Sequence, residues 1–200
     1  FLLLEWDGAF SDLSLSGKLQ AALFASVTPR TAGFDTVPPR LFSPAGKFIT
    51  VMLMFIGASP GSTGGGIKTA TFAVLALLVW VMSRGQERVE VYRRSLGEGT
   101  RHRAFAIAAL MAIAVVALTL FLCITEAGKA EFLDMLFEAV SALGTVGLSC
   151  GLTPKLSPAG KLAVILAMYT GRVGPLTLAL SVGPRRRPPY RFPSEDVMVG

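Results

Sequence analysis

From Ala104 to Thr125 the chain runs for 22 residues without a charge. As a helix at 1.5 Å per residue this run measures about 33 Å, the span of a bilayer's hydrocarbon core. The competing explanation is a helix buried in a large soluble core. Composition speaks against it: 52% of the residues are hydrophobic, 16% are charged, and the mean hydropathy is +0.59. A second apolar run, Leu162 to Thr170, extends into another span.

The net charge of +6 and pI near 9.7 could point to nucleic acid, but the placement of the charges points to lipid headgroups. Six Arg fall between Arg84 and Arg103, and four more stand at Arg185, Arg186, Arg187 and Arg191. Each group follows an apolar stretch, whereas 126–160 carries Glu126, Glu131, Asp134 and Glu138 against Lys129 and Lys155. Under the positive-inside rule the 84–103 loop and the C-terminal tail are cytoplasmic, and 1–47 and 126–160 lie outside. Membrane lipid, not nucleic acid, is the partner this pattern implies. Phe1-Leu2-Leu3-Leu4 has no initiator Met and no basic n-region, and reads as the outer end of a helix rather than a cleaved signal peptide. Cys123 and Cys150 fall in settings too different to form a metal or disulfide framework.

An internal repeat organises the chain. Ser43-Pro44-Ala45-Gly46-Lys47 recurs 114 residues later as Ser157-Pro158-Ala159-Gly160-Lys161. In the same register, Thr31-Ala32-Gly33-Phe34 falls on Thr145-Val146-Gly147-Leu148, and Met54 and Gly57 fall on Met168 and Gly171. Each unit begins with a segment too short to span, Gly17 to Val27 or Glu131 to Leu143. A Thr-x-Gly tetrad and a polar loop follow. A long apolar helix then opens at Ser-Pro-Ala-Gly-Lys, with Ser as N-cap and Pro at the first helical position. The expected class is an all-α membrane protein of repeated helix–pore loop–helix units, divided at 1–103 and 104–200.

Irregular backbone at membrane depth is tolerated only inside protein or along a water-filled cavity, so a half-helix returning through Thr-x-Gly suggests a pore. Glycine adopts positive φ freely and lets neighbouring carbonyls turn toward a common axis, where their oxygens replace a cation's hydration shell. Gly33 and Gly147 are the central candidates. Thr31, Ala32, Thr145 and Val146 contribute backbone oxygens, and the Thr hydroxyls add to the inner end. The preceding half-helix directs its partially negative end at the site. Either tetrad alone is better read as an ordinary glycine turn; the two in register favour a filter. Glu131, Asp134 and Glu138 either concentrate cations or belong to a solvated, helix-satisfying set.

Phe48 to Met82 is 35 residues long and is interrupted by Gly57-Ala58-Ser59-Pro60-Gly61-Ser62-Thr63-Gly64-Gly65-Gly66, which opens a loop near mid-membrane. Gly61 to Thr69 imitates a phosphate-binding loop, but Ile67 separates Gly66 from Lys68 and the neighbours are apolar helix, so nucleotide hydrolysis is rejected. Arg172 is placed about halfway along the final apolar helix. A charge there costs at least ~2.5–3.5 kcal/mol and needs a cavity or a partner. His102, between Arg101 and Arg103, reads as interfacial, and no catalytic constellation is apparent.

Several stretches closely resemble the Trk/Ktr family of potassium transporters: Ser26-Val27-Thr28-Pro29-Arg30-Thr31-Ala32-Gly33-Phe34, Leu53-Met54-Phe55-Ile56-Gly57, and Ser62-Thr63-Gly64-Gly65-Gly66-Ile67-Lys68-Thr69. Gly144-Thr145-Val146-Gly147-Leu148-Ser149 and Gly171-Arg172-Val173-Gly174-Pro175-Leu176-Thr177 look like the family's fourth repeat. The resemblance implies four repeats about a pseudo-fourfold pore, of which these are the last two. It implies a homodimeric cell-membrane subunit with a cytoplasmic nucleotide-binding regulatory ring. It also implies potassium as the transported ion and no organic cofactor, with a sodium-conducting or sodium-coupled member and a non-conducting membrane anchor as alternatives. The family's gate corresponds to Gly61, Gly64, Gly65 and Gly66, with Arg172 projecting into the pore and Lys68 a weaker participant; a passive kink is the alternative for the loop.

Overall fold

The computed structural model describes residues 1–62, 64–85, 90–91 and 94–174. Thr63, Arg88, Arg93, Pro175-Leu176-Thr177 and the basic tail residues Arg185, Arg186, Arg187 and Arg191 lie outside the described residues. The helices are α1 (Leu15–Val27), α2 (Pro44–Phe55), α3 (Thr69–Ser83), α4 (Glu98–Thr125), α5 (Phe132–Leu143) and α6 (Pro158–Val173). Two-residue strands β1 (Glu90–Val91) and β2 (Arg94–Ser95) pair antiparallel between α3 and α4. The other regular elements among the described residues are helical.

The repeat is built from the same local devices twice. Ser43 Oγ accepts the Gly46 N–H and Ser157 Oγ accepts the Gly160 N–H, both at 3.1 Å, so α2 and α6 start on identical caps with Pro in their first turns. A short 3₁₀ turn precedes each helix, Pro39–Leu41 and Thr153–Lys155.

The long apolar run from Phe48 to Met82 breaks as its glycines and proline demand. After α2 the chain makes an excursion and returns beside its starting point: the Gly57 N–H donates to Ile67 O at 2.8 Å and the Ile67 N–H to Phe55 O at 3.3 Å. The loop is thus closed at its neck before α3 begins.

One expectation is corrected. Arg172 is not halfway along a helix; it stands in the last turn of α6, which ends at Val173. Gly174 takes φ +91° and donates its N–H back to Thr170 O. It precedes a proline, and a residue in that position is pushed away from helical backbone. The helix C-terminus is where a cation is electrostatically favoured. The opening turns of α4 include Arg101 and Arg103, from the end of the basic 84–103 segment; in the first of these turns Arg101 lies 3.6 Å from Glu98.

The core gathers around α5, which packs on α2, α4 and α6. Met135, Phe137, Ala139, Val140, Ala142 and Leu143 are all buried, with Glu138 and Ser141 among them. A helix enclosed on every side needs apolar or internally satisfied residues all round. Helix α4 has a different distribution. Met111, Val115, Thr119 and Leu122 form its buried stripe, yet Ile113, Val116, Leu120 and Ile124 are apolar and exposed on the protein surface. Water would leave the second stripe costly; hydrocarbon would not. Of the described helices, α4 is the one long and apolar enough to cross a membrane unbroken.

Candidate functional site

The Thr-x-Gly tetrads that follow α1 and α5 share an unusual backbone. Thr31 and Thr145 have φ of +68° and +53°, and Gly33 and Gly147 have φ of +76° and +93°. Positive φ is ordinary for glycine but an outlier for a β-branched residue, costing about 1–3 kcal/mol each. Two threonines carry this cost at the same register. Among the described residues, no hydrogen bond is donated to the carbonyls of Thr31, Ala32, Gly33, Thr145, Val146 or Gly147. Six backbone acceptors are therefore free for another use.

The structure brings the two tetrads together. A methyl group on Gly33 would lie 2.6 Å from Val146 O, and one on Gly147 would lie 3.3 Å from the Gly33 Cα. Each glycine is needed twice, for its backbone conformation and for the other loop's approach. Behind them, Thr28 Oγ1 donates to Phe34 O and Ser141 Oγ donates to Leu148 O. The carbonyl after each tetrad glycine is thus tied back to its half-helix, which marks the end of the free run.

The Gly-rich excursion packs directly against both threonines. The Gly65 N–H donates to Thr145 Oγ1 at 2.8 Å, and a Cβ on Gly64 would come within 2.6 Å of Thr31 Oγ1. Only glycines allow a backbone so near. Lys68 does not extend away from the loop: its Nζ donates to Ser62 O at 2.9 Å and to Gly64 O at 2.5 Å, fastening the excursion to its own return limb. Gly61 and Gly66 take φ of +81° and +74° at the bends. Arg172 borders a cavity of about 380 Å³ with Ser62, Gly64, Gly65 and Lys68. It makes no hydrogen bond or ion pair with the loop among the described residues; the two share the cavity.

Sequence reasoning missed the carboxylates that hold the units in shape. Glu5 accepts from the Ser43 N–H and Oγ, and Glu126 from the Ser157 N–H and Oγ; both side chains are fully buried. A Cβ on Gly46 or Gly160 would strike these carboxylates. This explains the glycine in Ser-Pro-Ala-Gly-Lys: it leaves room for an acid arriving from elsewhere in the unit. The recurring Gly was the available signal. Although Glu126 is enclosed, hydrogen bonds from Lys129 and Ser157 outweigh burial and hold its carboxyl down to about 2. Asp134 pairs with Lys47 at 2.7 Å, tying α5 to α2 across the two units. Nearby, burial and then the charge of Asp134 push the Cys150 thiol up to about 12, so it stays protonated near neutral pH.

A family model described as TrkH, cation transport protein, matches residues 2–184. The Ktr system potassium uptake protein B of Bacillus subtilis (strain 168) is 40% identical over 194 residues, 96% of this chain and 43% of that protein. The potassium/sodium uptake protein NtpJ of Enterococcus hirae is 36% identical over 208 residues, all of this chain and 46% of its own length. The chain thus spans less than half the length of these relatives. The crystal structure of the potassium transporter TrkH from Vibrio parahaemolyticus superposes with a TM-score of 0.74, covering 92% of this chain and 41% of that one. At 22% identity that likeness speaks for the fold. With the family model matching almost throughout, and with a half-helix, a glycine loop and a capped helix built twice, the chain belongs to the TrkH family of cation transport proteins.

Proposed function

We propose that this chain supplies part of a membrane pathway for potassium uptake, with the two Thr-x-Gly tetrads as half of a backbone-carbonyl filter. The observation that carries this reading is the set of six carbonyls, unbonded among the described residues, on two facing loops whose threonines are held at positive φ. A cation that loses its hydration shell needs such oxygens, and an ordinary turn would not incur this backbone cost twice. Thr31, Ala32, Gly33, Thr145, Val146 and Gly147 are the coordinating residues in this reading. The relatives named for potassium uptake support it. Sodium is the second reading, favoured by the relative named for potassium and sodium uptake.

The gate in this proposal is the excursion carrying Gly61, Gly64, Gly65 and Gly66. Its bond from Gly65 to Thr145 would obstruct the inner end of the filter and must break for ions to pass. Lys68 sets the shape of the loop, and Arg172 adds a positive barrier in the adjoining cavity. The full protein works as a homodimer in the cell membrane with a cytoplasmic nucleotide-binding ring, and the basic 84–103 segment and C-terminal tail face the cytoplasm and its lipids. Units 1–103 and 104–200 each contribute one quarter of the pore lining.

The deciding experiment compares potassium and sodium permeation by the full-length transporter carrying Gly147→Ser. A filter role gives altered ion preference; an anchoring role gives normal assembly with no ion phenotype. For the gate, Arg172→Ala raises flux at matched expression, and unchanged conduction removes the arginine from the mechanism.

A further inference from the structure

Glu138 occupies the α5 position that corresponds to Phe24 in α1, and it is only 4% exposed. Its Oε1 accepts from Ser149 Oγ and, at 3.3 Å, from the Leu152 N–H; its Oε2 accepts from Thr153 Oγ1 at 2.9 Å. All three donors belong to the limb that leaves Gly147. One turn further along the same helix face, Ser141 Oγ holds Leu148 O at 2.5 Å. Successive points on the limb are therefore fastened to α5.

The acid is not a requirement of the repeat itself. The N-terminal unit ties Phe34 O to Thr28 and has phenylalanine in place of the acid. Nor is the limb held by packing alone. Glu138, Ser149 and Thr153 line, with Thr145, Gly147 and Arg172, a cavity of about 490 Å³ into which an unfastened limb has room to relax. A buried carboxyl supplied with three donors by one short segment fixes that segment's path, because each lost bond leaves a buried polar group unpaired.

We propose that Glu138 is a positioning residue that sets ion preference at the C-terminal loop, by fixing the limb from Leu148 to Thr153 and through it the Gly147 carbonyl. This rests on the filter reading above. In proteoliposomes of the full-length transporter, Glu138→Ala should lower the preference for rubidium over sodium by about three- to tenfold, the scale of one ordinary hydrogen bond's net contribution. Glu138→Gln keeps the size and an acceptor oxygen and should retain most of the preference. A Glu138→Ala protein with unaltered preference, whatever its yield or total rate, overturns the assignment. Should that variant fail to reach the membrane, Ser149→Ala combined with Thr153→Val decides, since it removes both hydroxyl donors and leaves the acid with the Leu152 N–H alone; unaltered preference there overturns the assignment equally. Gly147→Ser runs alongside. If it too leaves preference unchanged, the filter reading fails; if it alone shifts preference, only the role of Glu138 fails.

Discussion

The half-helices α1 and α5 are near twins in length and register, yet they live in different surroundings. α5 is enclosed by α2, α4 and α6, whereas α1 leaves Leu15, Leu19, Leu23 and Val27 exposed along one stripe. α2, from the N-terminal unit, stands against α5 of the C-terminal one, whereas α1 makes a smaller contact with α2. The loops that follow are nevertheless alike, with positive φ at Thr and Gly and a hydroxyl tether behind each. Loop shape is thus set by local rules, and burial by the neighbouring unit. The C-terminal unit adds the Glu138 network, for which the N-terminal unit has no acid.

The largest asymmetry should appear at the glycines. A methyl on Gly33 meets the Val146 backbone at 2.6 Å, whereas one on Gly147 meets Gly33 at 3.3 Å. Both also incur the left-handed penalty of about 1–2 kcal/mol. Gly33→Ala should therefore reduce rubidium uptake per transporter in the membrane more than tenfold (about 1.4 kcal/mol or more in the barrier) and more severely than Gly147→Ala. Equal losses would mean the loops are not in register as described.

The helix caps should show symmetry instead. Gly46→Ala and Gly160→Ala each displace a buried carboxylate from its cap, and each should cost about 2–4 kcal/mol, read as a fall in melting temperature in detergent. A large effect in one unit and none in the other would break the equivalence of Glu5 and Glu126.

Smaller is the tie between units. Lys47 and Asp134 are 13% and 21% exposed, so their pairing is partly screened, and Asp134→Asn should cost about 1 kcal/mol. A double-mutant cycle with Lys47→Met isolates that term, and a coupling near zero would show that α2 and α5 are held by apolar contact alone.

The smallest effect is one of pH. Because the folded carboxyl of Glu126 lies near 2 and its ordinary value is 4.5, the stability it confers is fully present above 4.5. That contribution is lost as pH falls from there through about 2. Melting temperature should show no Glu126-dependent change between neutrality and pH 5 when wild type is compared with Glu126→Gln across the range. A difference between the two that shrinks already above pH 5 would place that carboxyl higher.

The half-helices, break after α2, paired Ser caps and tetrad glycines were all readable in the chain, because each follows from short-range pattern: apolar run length, cap chemistry, glycine spacing, equal register. Long-range partners were not readable. Nothing around Glu5 indicates that it caps Ser43, and Glu138 looked like one acid among several until folding placed Ser149 and Thr153 around it. Arg172 stands at the end of α6 and not in mid-helix because Gly174 turns the backbone out of the helix just before Pro175.

Residue order alone thus determined that this chain enters a membrane, doubles a helix–loop–helix unit and breaks one helix at glycines, since bilayer thickness and backbone sterics act on neighbouring residues. Tertiary structure decided that Gly33 and Gly147 face each other, that Gly64 and Gly65 press on the two threonines, and that buried acids find their donors. Those outcomes depend on which surfaces meet, and an ångström at such a contact separates a hydrogen bond from a clash.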